Sequence, residues 1–209
     1  MKPTAAELAY KKIKQLIVTT RMAPGSVISE SQLMEDLGLG RTPIREAIKQ
    51  LETENLVLVT PRRGMFVSEI TVTDLSKIFE VRVELESLAA RLATSRITSK
   101  QLSELKHLAE KYQKLTIGDK EMLISLDQQF HFLIAKASHN QFLRKELEYY
   151  YYLSLRIWYL AINSTQPQDI DVDSHIKILD AIKSGDAQKA EQKMKTHIKK
   201  FHQTIKKYL

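Results

Sequence analysis

At 209 residues, 43% apolar and with a formal net charge of +7, the chain can bury one or two hydrophobic cores, which excludes a disordered polypeptide, and its charge suits a polyanionic partner. The absence of cysteine excludes disulfides and thiolate ligands, so any bound metal must be held by histidine and carboxylate. No uninterrupted apolar run of about 18 residues occurs, and Met1 leads into a charged amphipathic stretch rather than a signal segment; a cytoplasmic protein with no membrane partner is expected.

A first helix is predicted over Thr4 to Thr20, with Ala9, Ile13, Leu16 and Ile17 on one face, closed by Pro24 and Gly25. Ser29 followed by Gln32 is a capping-box pattern; it opens a short helix with Leu33, Met34 and Leu37 inward, stopped at Gly38. A third helix opens near Thr42 and Pro43, carries Ile44, Ala47, Ile48 and Leu51 on its apolar stripe, and ends near Asn55. Leu56 to Thr60 and Met65 to Ile70 are β-prone runs separated by Pro61, Arg62, Arg63 and Gly64, a hairpin with a basic tip. Near Glu69 to Thr73 the pattern changes from strand to helix, so residues 1–70 and 71–209 are read as two domains. Six amphipathic helices follow, approximately Asp74 to Ser95, Ser99 to Thr116, Asp119 to Ala137, Gln141 to Ile162, Val172 to Ser184 and Asp186 to Tyr208, with Asn163 to Asp171 as the longest loop of this half. The expected fold is mainly α, a winged helix-turn-helix followed by an all-α antiparallel bundle.

Charge alone does not locate a nucleic-acid face. Residues 1–70 hold ten Lys/Arg against eight Asp/Glu, whereas Asp186 to Leu209 hold seven against two. Local placement is more informative. A short helix, a tight turn at Gly38 and Gly40, and a second helix that begins with polar residues is the layout that lets one helix enter a major groove. Arg41, Thr42 and Arg45 then face the groove, because Arg41 and Arg45 are one turn apart and lie opposite the Ile44, Ile48 and Leu51 stripe. Arginine there contacts phosphate or grips guanine bidentately, and the hairpin tip with Arg62, Arg63 and Gly64 reaches an adjacent groove or phosphate. The competing reading is that these are solvated surface arginines.

The segment PGSVISESQLMEDLGLGRTPIREAIKQLETENLVLVTPRRGMFV resembles the DNA-binding domain of the GntR family over about residues 8 to 70, above all in Arg41-Thr42-Pro43-Ile44-Arg45-Glu46-Ala47 and in Arg63-Gly64. The resemblance implies that Arg41, Thr42, Arg45 and Gly64 contact double-stranded operator DNA. Gly40 stands where that family usually has a Ser or Thr cap, and Ser31 stands where some members place an arginine.

In the second half, four residues able to bind a metal fall within apolar stripes rather than on polar faces. Asp127 and His131 are one turn apart, flanked by Leu123, Phe130 and Ile134; His175 precedes Ile178, Leu179 and Ile182; His197 follows Ala190 and Met194. A shared divalent cation would satisfy a buried carboxylate and three buried imidazoles together, and would leave a positive charge that invites an anion. Four separately hydrogen-bonded core residues remain the alternative. Arg82 lies between Ile78 and Leu85 on an inward stripe, either paired with Glu86 one turn on or gripping a ligand carboxylate. His107 and His139 lie off the stripes and His202 is borderline; none is given a role.

Residues 74 to 207 are similar to the FCD domain of FadR-type GntR regulators, through VRVELESLAARLA, DQQFHFLIAKASHN and HIKILDAIKSGDAQKAEQKMKTH. In that resemblance Asp127, His131, His175 and His197 hold a divalent ion, zinc or nickel, Arg82 helps bind a carboxylate effector, and six helices suggest the VanR-like group. It implies a homodimeric regulator, a repressor by the usual mode of the family, that binds operator DNA under the control of a small organic acid, and not an enzyme. A closed, purely structural metal site and a metal-dependent enzyme are the alternatives.

Overall fold

The computed structural model describes residues 3–115, 119–162, 164, 171 and 173–208. The chain divides into two compact units, Met1–Thr71 with Leu155–Leu160, and Val72–Ser154 with Ala161–Leu209. The division thus differs from two consecutive segments in grouping Leu155–Leu160 with the first unit.

In the first unit, α1 (Ala5–Val18) starts at a full capping box, in which Thr4 accepts from the Glu7 amide and the Glu7 carboxylate accepts from the Thr4 amide. Then come β1 (Val27–Ile28), α2 (Glu30–Leu37), α3 (Arg41–Thr53), β2 (Val57–Thr60) and β3 (Gly64–Val67). Ser29 caps α2 by accepting from the Gln32 amide, but the Gln32 side chain turns to Asp36 instead of completing the box. Gly38 ends α2 at φ 63°, in the left-handed region where glycine is favoured; Gly40, at φ −70°, is ordinary extended backbone, so only one of the two glycines makes the turn. Ile13, Ile17, Leu33, Ile44, Ile48, Leu51, Leu56 and Val67 form the core. The three strands form an antiparallel sheet in the order β1-β3-β2, with Val27 opposite Phe66 and Leu58 opposite Phe66 on the other side. The sequence reading contains β2 and β3 but not β1, whose two residues are too short to show a period and are recruited by β3.

The second unit contains α4 (Val72–Arg96), α5 (Ser99–Lys114), α6 (Lys120–Ala137), most of α7 (Gln141–Ala161), α8 (Asp173–Lys183) and α9 (Ala187–Lys206). These are the six helices expected, with ends shifted by no more than two residues. The loop expected over Asn163 to Asp171 lies largely outside the described residues. α4 packs along α9, α8 lies against α9 and α5, and α6 lies against α4 and α5, so the inward faces of several helices meet around a common axis. Phe79, Leu105, Phe130, Ile134, Ile178 and Met194 fill that interior, together with a set of buried polar groups. Among the described residues no helix is long and apolar enough to cross a membrane.

Candidate metal centre and nucleic-acid face

The buried polar groups of the second unit are those that helical periodicity turns inward. α6 supplies Asp127 and His131 one turn apart, α8 supplies His175, and α9 supplies His197; all are buried, and one ligand atom from each lies within 4.8 Å of the rest. His131 Nε2 stands 3.1 Å from His197 Nε2, and His175 Nε2 stands 3.1 Å from Asp127 Oδ1, which is 3.7 Å from His131 Nε2. Two atoms each about 2.0–2.1 Å from one ion lie roughly 3–3.4 Å apart, close to these spacings.

What stands behind the rings decides which nitrogen carries the proton. His131 Nδ1 lies in close ion-pair contact with Glu86 Oε2, outside hydrogen-bond geometry, and the carboxylate charge favours the hydrogen on that nitrogen. Ser174 Oγ donates to the Asp171 carbonyl at 2.9 Å and therefore accepts, at 2.7 Å, from His197 Nδ1. In their neutral forms both rings then point a lone pair from Nε2 at the other across 3.1 Å. Two facing lone pairs repel unless a cation or a proton lies between them, and this arrangement fits a shared divalent ion. His175 Nδ1 is buried with no hydrogen-bond partner among the described residues. Tyr151 donates to Asp127 Oδ2 at 2.8 Å, leaving Oδ1 to face the imidazoles.

Burial disfavours charge at every one of these groups, and the ionic neighbours oppose it. Glu86 is held down to about 2 despite burial, because Arg82 and His131 face it. Asp127 is likewise drawn well below the usual carboxylate range, against its burial, by His131 and His175. His131 is raised to about 10, since Glu86 and Asp127 outweigh its desolvation, whereas burial and the two neighbouring imidazoles push His197 well below the usual histidine value. Burial, followed by the Asp127 charge, lifts Tyr112 and Tyr151 well above the usual phenol range. Without a metal, the pocket therefore balances two carboxylates with Arg82 and a protonated His131. A divalent ion in place of that proton leaves one net positive charge, which favours an anionic ligand.

Arg82 is buried on α4, its Nε 2.8 Å from Glu86 Oε1, its Nη1 2.6 Å from Ser154 Oγ, and its guanidinium carbon 4.9 Å from the centre of the Tyr151 ring. Among the described residues, three of the guanidinium's five N–H donors face Glu86 and Ser154, and two remain.

In the first unit, α3 presents Arg41, Thr42 and Arg45 to solvent at its first turns while Ile44, Ala47 and Ile48 are buried. Gly40 caps that helix without a side-chain bond, so its first amides lack the side-chain partner a Ser or Thr supplies. Arg45 donates to Glu30 at 2.8 Å across the α2–α3 corner, an exposed pair that water screens and that a phosphate can replace. At the β2–β3 turn Arg62 takes φ 62° and Gly64 φ 108°; Arg63 is exposed, and the space where a Gly64 side chain would lie is empty to 4 Å.

Comparison with known proteins decides what carries these two sites. Residues 5–67 match the bacterial regulatory proteins of the gntR family, and residues 77–200, more than half of the chain, match the FCD domain. The chain belongs to the GntR family. This GntR-family regulator is 30% identical over 199 residues to the HTH-type transcriptional regulator YdhC of Bacillus subtilis (strain 168), covering 94% of this chain and 89% of that one. It is 25% identical over 199 residues to the HTH-type transcriptional repressor RspR of Escherichia coli (strain K12), covering 94% and 87%. The solved structure of E. coli McbR/YncC shares its fold, with a TM-score of 0.88 over 99% of both chains at 23% identity. These relatives are transcriptional regulators, not enzymes.

Asp127, His131, His175 and His197 are thus brought together in the GntR-family regulator, and Arg82 reaches them through Glu86. Arg41, Thr42 and Arg45 share one exposed helix end, and Arg63 and Gly64 sit at the turn. Sequence reasoning considers Glu86 only as a partner for Arg82, and gives no role to Tyr151, Tyr112 or Ser174. Glu86 carries a usable signal, its place one turn beyond Arg82 on the same inward stripe. His107 lines a separate groove of about 550 Å³ with Phe132, Lys136 and Arg144, His139 Nε2 lies 3.3 Å from Gln101 Oε1, and His202 stacks on Phe79 at 4.7 Å.

Proposed function

We propose that the chain is a homodimeric repressor that binds near-palindromic operator DNA through its winged unit and releases it when a small carboxylate occupies a divalent-cation site in the FCD unit. The observation that carries the reading is the convergence of three imidazole nitrogens and one carboxylate oxygen, with the rear nitrogen of His197 hydrogen-bonded to Ser174 and that of His131 in ion-pair contact with Glu86. Asp127, His131, His175 and His197 hold the ion, and zinc or nickel suits an N₃O donor set. When bound, the ion supplies a Lewis-acid centre that a carboxylate oxygen can ligate.

Around it the side chains of the chain orient and select. Tyr151 fixes the Asp127 carboxylate, and Ser174 and Glu86 fix the rings of His197 and His131. Arg82 offers its remaining N–H groups to the second oxygen of the effector, the bidentate preference of a guanidinium. In the winged unit, Arg41, Thr42 and Arg45 read the major groove, and Arg63 with Gly64 approaches the neighbouring backbone.

The test is operator affinity measured with the metal-loaded chain while candidate carboxylates are titrated. One acid is expected to weaken operator binding by tenfold or more in the wild type and to have no effect on the His197→Ala variant. Stoichiometric metal with an affinity for DNA that ignores every carboxylate would instead make the site structural.

A further inference from the structure

The three histidines of the cluster differ behind their rings: His197 Nδ1 is hydrogen-bonded to the Ser174 hydroxyl, while His131 Nδ1 and His175 Nδ1 have no hydrogen-bond partner among the described residues, and of these two it is His131 Nδ1 that lies in close ion-pair contact with a carboxylate, Glu86. Glu86 belongs to α4, a helix that supplies none of the four converging residues. It is 4% exposed, and its two oxygens do separate work: Oε2 meets His131, while Oε1 is gripped by Arg82 Nε at 2.8 Å and Nη2 at 2.5 Å. Arg82 is itself clamped by Ser154 at 2.6 Å, so the carboxylate cannot rotate away from the ring without breaking the guanidinium pair.

Resting on the metal reading above, we propose that Glu86 is a positioning residue that locks His131 in the Nδ1–H tautomer and thereby presents its Nε2 lone pair to the cation. A buried carboxylate is an acceptor only, so it admits one tautomer of a neutral ring; it also enriches the ring as a donor, the role of carboxylates placed behind metal-bound histidines. A glutamine at the same place would not make that choice. Its amide can donate as well as accept, so the ring could turn its hydrogen toward the cluster, and the cation would compete with that hydrogen.

The test compares wild type and Glu86→Gln, using Zn²⁺ alone as the probe. Zinc affinity is read by chelator competition, and the low-field proton resonance of the His131 Nδ1–H is read by NMR on the zinc-loaded protein. The expected result is a loss of about tenfold to a hundredfold in zinc affinity, together with an upfield move or disappearance of that resonance in the variant. Equal affinities, or a weaker affinity with the resonance unmoved, overturn the positioning role. A wild type that binds no zinc overturns the metal reading itself, and this inference with it. Because Glu86→Gln leaves Arg82 without its anionic partner in the core, the double variant Arg82→Gln/Glu86→Gln accompanies it, and the same loss of affinity and of the resonance is expected there.

Discussion

Tyr151 shows how much of the cluster is settled by single atoms. Its hydroxyl donates to Asp127 Oδ2 at 2.8 Å, so the carboxylate that faces the three imidazoles is held from behind by a group with no charge of its own. Tyr151→Phe keeps the ring, and with it the contact to Arg82, but leaves a buried carboxylate oxygen without its donor. The expected cost is about 1–3 kcal/mol of stability and roughly tenfold in metal affinity, checked by denaturant unfolding of the metal-free protein and by chelator competition. At this scale the sequence is only partly legible. Asp127, His131, His175 and His197 are found because each sits at helical spacing from apolar neighbours on its own helix, a local pattern. Tyr151 and Ser174 act on residues 24 and 23 positions away, and nothing local separates this tyrosine from Tyr149, Tyr150 and Tyr152 beside it.

At the scale of elements, α3 separates its two jobs by face. Ile44, Ala47, Ile48 and Leu51 fix the helix to the rest of the winged unit, and Arg41 and Arg45 stand opposite, so either arginine can be removed without opening the core. Arg45→Ala is expected to weaken operator binding by about tenfold to a hundredfold, with melting temperature unchanged within a degree or so. If Arg45 meets a phosphate rather than a base, the loss extends equally to nonspecific DNA and the salt dependence falls by about one ion, which a titration at several salt concentrations distinguishes. The Glu30 pair is exposed and screened by water, so on the operator-binding reading exchanging it for a DNA contact costs little. Helices of this length announce themselves through their periods; β1 does not. Val27 and Ile28 become a strand only because Met65 and Phe66 lie beside them, a pairing across some 38 residues that no short window contains.

At the scale of the molecule, the cluster links protons to stability and, on the metal reading, to loading of the ion. In the metal-free protein Glu86 sits near 2 against an ordinary value of 4.5, so its contribution is present above 4.5 and is lost as pH falls through 2. His131 sits near 10 against 6.5, so its contribution is complete below 6.5 and is lost as pH rises through 10. These two groups together therefore favour the metal-free fold most between about pH 4.5 and 6.5. Metal binding must displace the His131 proton, so its stabilisation grows with pH over the range where the metal-free fold weakens. Thermal unfolding with and without one equivalent of zinc is expected to show a shift in Tm that widens steadily from pH 6.5 to 9; a shift independent of pH would mean that no ring loses a proton on loading.

Whether Asp127, His131, His175 and His197 hold one ion is decided by X-ray absorption at the metal edge, combined with the metal content of the purified chain. One divalent ion per chain with three imidazole nitrogens and at least one oxygen in its coordination shell, lost in His131→Ala, is the predicted result. A chain that purifies without stoichiometric metal and takes up none on addition, or one whose ion survives in His131→Ala with an unchanged shell, would contradict it.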